Sequence, residues 1–136
     1  MALGDLIYEE TGKVTGIRVL SCDASGTNVE VNLQTSGKIR GVNETCLWTY
    51  TQLTRTDGSI YGHGQGVMTT EEGDVIQLIG HGSGKASPPG GTIFFRCMVH
   101  YHTTSPKYTD LNSIAGIGEY DVDSDGNTVD KFWEWK

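Results

Sequence analysis

The residues best suited to chemistry fall into two glycine-rich stretches and one histidine pair. Gly62-His63-Gly64-Gln65-Gly66 is echoed by Gly80-His81-Gly82-Ser83-Gly84, and His100-Tyr101-His102 follows. Imidazole exchanges a proton near neutral pH and is the commonest metal ligand. If the intervening turn centres on Glu72, antiparallel pairing sets His63 opposite His81. Cross-strand Cβ atoms lie about 5 Å apart, close enough for the two rings to share a water, metal or ligand oxygen. His63 and His81 are therefore the candidate proton movers, with Arg96 as a candidate to steady an oxyanion should it turn inward. On a strand, Arg96, Met98, His100 and His102 share one face and the more apolar Phe95, Cys97, Val99 and Tyr101 the other, which is expected to face the core.

Sharper motifs are absent. No His-Glu-x-x-His occurs and no carboxylate completes a two-histidine triad, so no residue is assigned as a metal ligand and no cofactor is implied. Asp121-Val122-Asp123-Ser124-Asp125-Gly126 begins like a calcium loop, but its twelfth position is Phe132 and strand patterns flank it; a hairpin turn is the expectation. The glycine runs lie inside strand patterns, unlike phosphate loops, and no Gly-x-Ser-x-Gly elbow marks a nucleophile.

These side chains must be positioned by strands. Apolar residues recur at every second position, most clearly at Val29, Val31 and Leu33 between polar neighbours. Similar segments run over residues 44–55, 60–69, 75–86, 92–103, 117–122 and 128–135. Thr56-Asp57-Gly58-Ser59 and Asp125-Gly126 supply hairpin turns, and Ser87-Pro88-Pro89-Gly90-Gly91 breaks the pattern again. One short helix is expected near residues 105–113, with Ser105 as cap, Pro106 in its first turn, and Tyr108 and Leu111 on one face. The order reads as a meander.

Closing such a sheet removes both exposed edges, so the expected fold is all-β: one domain over residues 1–136, an antiparallel up-and-down barrel of about eight strands, with a two-sheet sandwich as the alternative. Glycines inside strands are expected where the sheet bends at barrel corners. Trp133 and Trp135 on one side of the last strand, with Phe132 on the other, either close the barrel against the N-terminal strand or join a second subunit.

The chain has 136 residues, 19 of them glycine, and a formal net charge of −7 from 17 acidic and 10 basic side chains. That charge repels phosphate backbones and anionic lipid, which sets nucleic acid and membrane aside as partners. No signal peptide or bilayer-length apolar run is seen, and Cys22, Cys46 and Cys97 lack the spacing of a disulfide framework or zinc ribbon. A cytoplasmic protein with free thiols is the expectation.

The strand order, the glycine-rich central hairpins, the segment Leu111-Asn112-Ser113-Ile114-Ala115-Gly116-Ile117-Gly118-Glu119-Tyr120, and the Asp125-Gly126-Asn127 and Trp133-Glu134-Trp135 ends resemble uncharacterised prokaryotic proteins with an allene oxide cyclase-like (lipocalin-like) barrel. The resemblance covers residues 60–136 and implies an eight-stranded barrel with a largely apolar interior, in a group where cyclases, stereochemical guides and proteins of unknown role occur together. No catalytic residue transfers from it. The expected function is binding of a small, mostly apolar molecule inside the barrel, with cyclisation or isomerisation as a catalytic form. Its candidate lining is Trp48, Tyr50, His63, His81, Phe95 and Tyr101. The alternatives are a non-catalytic barrel that acts by forming a homo-oligomer, and a histidine metal site.

Overall fold

The computed structural model describes residues 3–136. Eight strands follow in order: β1 (Leu3–Asp23), β2 (Gly26–Ile39), β3 (Val42–Arg55), β4 (Ser59–Thr70), β5 (Val75–Ser87), β6 (Thr92–His102), β7 (Ala115–Val122) and β8 (Asn127–Trp135). Each pairs antiparallel with the next, and β8 returns to β1, from Leu3 opposite Trp135 to Lys13 opposite Asn127, so the barrel is closed. Beyond Lys13, β1 continues to Asp23 paired with β2 alone. This arm carries Ile17 and Val19 exposed.

Local chemistry sets the turns. Between β7 and β8, Asp123 Oδ1 accepts hydrogen bonds from the Asp125 and Asn127 amides, both at 2.9 Å, and Gly126 takes φ +84°. The carboxylate is thereby engaged by its own backbone, which makes the calcium-like segment a hairpin turn. The one helix, a 3-10 helix over Pro106–Ser113, buries Tyr108 and Leu111 completely and stoppers one end of the barrel. Arg40 of the β2–β3 turn grips Asp110 through two hydrogen bonds, at 3.0 and 2.6 Å, and Lys107 reaches Glu72 of the β4–β5 turn at 2.8 Å. Asn112 adds a two-way bond to the Thr103 backbone, at 2.8 and 2.9 Å.

The interior is packed in two groups. One, beside the helix, is built on Tyr8, Ile39, Met68, Leu78, Tyr101 and Phe132; the other contains Leu33, Ile60, Phe95, Tyr120 and Val122. Trp48 and Cys97 pack against both. In β4 and β5 the inward positions above Met68 and Leu78 are glycines: Gly62, Gly64, Gly66, Gly80 and Gly82. Their role is clearance. A Cβ on Gly66 would lie 2.7 Å from the Trp48 indole, and one on Gly82 would lie 2.6 Å from Cys97 Sγ. The bare backbone of β4 and β5 thus leaves room for side chains from β3 and β6.

Gly66→Ala is expected to force Trp48 off its seat and lower stability by about 1–3 kcal/mol, the usual cost of overpacking. Denaturant unfolding of the variant measures it; an unchanged midpoint with an unchanged slope would remove the clearance role.

Candidate functional site

Between the two packed groups lies a hollow of about 70 Å³. Leu33, Trp48, Tyr50, Phe95, Cys97, Val99, Tyr120 and Phe132 supply its walls, and the glycines of β4 and β5 supply one side as bare backbone. Its rings are fixed by contact with one another. Phe95 stacks on Tyr120 with centroids 5.6 Å apart, and Tyr50 meets both edge-on at 6.2 and 5.9 Å. The Tyr50 and Tyr120 hydroxyls hydrogen-bond at 3.1 Å, and burial pushes the Tyr50 hydroxyl up to about 12, so both are neutral at physiological pH. The lining is carbon almost throughout.

Of the side chains singled out from the sequence, Trp48, Tyr50 and Phe95 stand in this wall. Tyr101 is buried nearer the helix, edge-on to Tyr8 at 6.3 Å. His63 and His81 are direct cross-strand partners, as the turn at Glu72 implies. Their rings nevertheless lie on the outer surface, and only their backbone borders the hollow, because in each pentapeptide the glycines occupy the inward positions. His63 Nδ1 meets Thr51 Oγ1 at 3.0 Å, and its ring stacks on Tyr61. Arg96 also points outward, toward Glu119 and Asp121 at 3.9 and 3.8 Å. Neither the imidazoles nor the guanidinium can touch a molecule inside. His100 and His102 are exposed, and among the described residues no group of three His, Cys, Asp or Glu is arranged to hold a metal.

Instead, the interior holds three carboxyls: Glu10, Glu44 and Asp130, each at least 94% buried. The register explains their meeting. Asp130 on β8 pairs with Glu10 on β1, Glu10 pairs with Gly37 on β2, and Gly37 pairs with Glu44 on β3. Gly37 has no side chain to separate the two glutamates, so the row closes over it. The Thr35 hydroxyl also faces Glu10. Asp130 stands in the wall of the hollow.

This row is electrostatically extreme. No lysine or arginine acts on any of the three, and no backbone amide donates to Glu10, to Glu44 or to Oδ1 of Asp130 among the described residues. Burial without a cation penalises the ionised form, and like charges side by side penalise it further. Accordingly Asp130 is held well above the usual carboxylate range by burial and then by Glu10; burial and the neighbouring Glu10 push Glu44 up to about 9. Burial raises Glu10 too, against the opposing influence of Glu44, Asp130 and Thr35 beside it. Burial first, and then the neighbouring acids, push Tyr8, Tyr101, Cys46 and Cys97 up as well. The barrel therefore stores protons on carboxyls at neutral pH.

The sequence reading passed over these acids. The signal was their phase: Glu44 alternates with Cys46 and Trp48, and Asp130 with Phe132, so both are in step with residues that belong inside.

A small closed meander barrel with an apolar hollow and a buried acid row is the class that these features define. No protein-family model and no curated protein matches the sequence. In structure the chain is similar to a protein with unknown function from Clostridium acetobutylicum, at 17% identity and a TM-score of 0.88 over the whole of both chains. It is similar to a beta-barrel like protein from Acinetobacter baumannii, at 14% identity and a TM-score of 0.82, covering 98% of this chain and 96% of that one. An enzyme from Penicillium herquei shares 15% identity at a TM-score of 0.71, covering 99% of this chain and 97% of that one. Identities this low establish the barrel fold and nothing finer. Among the described residues no helix is long and apolar enough to cross a membrane.

A carboxyl protonated only in the folded barrel makes stability fall as pH rises from its unfolded value, about 4.5, toward its folded one, because the native state binds the extra proton. The slope is about 1.4 kcal/mol per pH unit for each such carboxyl. Glu44→Gln keeps the size and polarity of the side chain beside Glu10 while removing the titration, so its unfolding free energy is expected to decline less than that of the wild type between pH 5 and about 9. Urea unfolding at pH 5, 7 and 9 gives the comparison, and parallel curves would show Glu44 to be ionised in the native barrel.

Proposed function

We propose that the protein binds a small, mostly apolar molecule inside the barrel. The observation that carries this reading is the hollow itself: an apolar space framed by fixed rings, in a fold whose eight strands give an interior that side chains can otherwise fill. Gly62, Gly64, Gly80 and Gly82, four glycines on its β4 and β5 side, bring no side chain to fill it. At about 70 Å³ it is roughly half the size of an engineered cavity of about 150 Å³ that takes benzene. A ring of five or six atoms is therefore near the upper limit unless Trp48 or Tyr50 turns.

Cyclisation or isomerisation steered by shape is the catalytic form of the same reading. It draws support from the resemblance to allene oxide cyclase-like barrels and from the neighbour described as an enzyme. Any proton moved inside belongs to the carboxyl row, since the histidines lie outside. The unpaired Cys22, Cys46 and Cys97 suit a cytoplasmic setting.

Gly62→Val tests the binding. A Cβ there meets nothing nearer than Phe95 at 3.5 Å, so the added methyls extend into the hollow without straining the wall. Methylcyclopentane is expected to shift the Leu33 and Val99 methyl resonances of the wild type, and to bind the variant at least about tenfold more weakly. No shift in the wild type at saturating probe would end the reading.

A second function, association with further copies, is favoured by the outer face of β3, β4 and β5. Its outward residues over 45–53, 61–69 and 75–83 include no Asp, Glu, Lys or Arg, although the chain carries a net charge of −7. Leu47 and Val67 are cross-strand partners there, with Ile79 nearby, and Leu47 and Ile79 are 60% and 63% exposed. Depletion of charge marks the centre of interfaces, and on this face two acidic copies meet without like-charge repulsion. Sedimentation over a concentration series is expected to show association that Val67→Lys abolishes; a wild-type monomer at every concentration would refute it.

A further inference from the structure

One edge of β1 is left open by the way the barrel closes. β8 reaches no further along β1 than Lys13, and the Val14 amide makes the last backbone contact on that side, to the Gly126 carbonyl at 2.8 Å. From Thr15 to Asp23 this edge has no strand beside it among the described residues. An edge of unpaired amides and carbonyls recruits another strand unless it is guarded. Proline, lysine and inward-pointing charge, three of the usual guards, are missing from residues 14–23. Bulges are present, with Thr15 and Leu20 as the extra residues, and they leave Gly16 to Val19 as the regular stretch.

That stretch is complementary to itself. A two-fold axis sets a strand antiparallel to its own copy, so an axis at Arg18 places Ile17 opposite Val19 of the second copy, and Val19 opposite its Ile17. Both side chains are β-branched and share the face of their β2 partners Val31 and Val29, and in the single copy they are 66% and 64% exposed. Pairing gives each a cross-strand neighbour that it lacks. The same axis brings Lys13 near Asp23 of the second copy, and symmetry repeats the contact. Arg18, the one charge between them, is engaged by Glu30 on β2 at 3.0 Å. The edge is therefore neutral overall on a chain whose net charge is −7, and its two ends carry opposite signs. An unrelated extended peptide would meet the same backbone groups without this reciprocity.

Width sets the strength of the contact. The edge offers residues 15–23, whereas a stable interface engages about 20–30 residues a side. It is too narrow to hold two free copies together, but it adds to a contact that already holds them, because linked contacts raise each other's effective concentration.

We propose that the β1 edge over residues 15–23 pairs antiparallel with the same edge of another copy, joining dimers formed through the outer face of β3, β4 and β5 into larger assemblies. The inference rests on the association reading above and adds a second surface to it.

Sedimentation of the full chain over a concentration series tests both. The wild type is expected to pass from dimer to larger species. Ile17→Lys places an inward-pointing charge on the edge and is expected to stop at the dimer, with the larger step weakened at least about tenfold. Val19→Lys repeats the test from the other half of the pair; both positions are exposed, so neither variant disturbs the barrel interior. A wild type that stops at the dimer would overturn the inference and leave the β3 to β5 reading standing. Larger species that survive both lysine variants would overturn it too, since a different surface then joins the dimers. A wild type that is monomeric throughout removes the β3 to β5 reading, and this inference with it.

Discussion

Space inside an eight-stranded barrel is the constraint that everything else answers to. The cylinder is only wide enough for inward side chains from opposite walls to meet, so each large ring must be matched by a small residue across from or beside it. Here the exchange is made between strands. β3 and β6 supply Trp48, Tyr50 and Phe95, while β4 and β5 offer bare glycine backbone to receive them. The same rule operates on the other side, where Gly37 on β2 lets Glu44 and Glu10 approach across it, and Gly116 and Gly118 on β7 lie against Tyr101 and Phe132. Filling is incomplete between the two packed groups, and the hollow is what remains there.

Placing carboxyls in that confined space has an electrostatic consequence. Three ionised acids in contact, with no cation among them, would oppose folding strongly, so the barrel is stable with protons retained on them. The row is thus both a cost at high pH and a polar instrument inside an otherwise hydrocarbon interior. Packing and proton placement together give the site its character.

The exterior is divided in the same way. Charged side chains pair on several strands, as in Arg18 with Glu30 and Arg96 with Glu119 and Asp121, whereas the outward residues over 45–53, 61–69 and 75–83 of β3 to β5 include no Asp, Glu, Lys or Arg and carry His63 and His81. The alternation of each strand means that a decision made inside is imposed outside. Turning the glycines inward to seat the rings necessarily turns the two histidines to the surface.

How much of this could be read beforehand differs from one residue to the next. Alternation at Val29, Val31 and Leu33, turn chemistry at Asp57-Gly58 and Asp125-Gly126, and Ser105-Pro106 ahead of Tyr108 and Leu111 determined the strands, the hairpins and the helical stopper, because these are local effects of backbone preference and side-chain period. The pairing of His63 with His81 followed from the turn between them. Which side of the wall those rings occupied did not follow, since glycine has no side chain to declare whether it is inside or out, and only the need of Trp48 and Cys97 for clearance settled it. Nor could the sequence bring Glu10, Glu44 and Asp130 together: they come from three strands far apart in the chain, and they meet only because β8 closes onto β1 in a register that aligns Asp130, Glu10 and Gly37. Local rhythm determined the cylinder; closure, a long-range event, decided what it encloses.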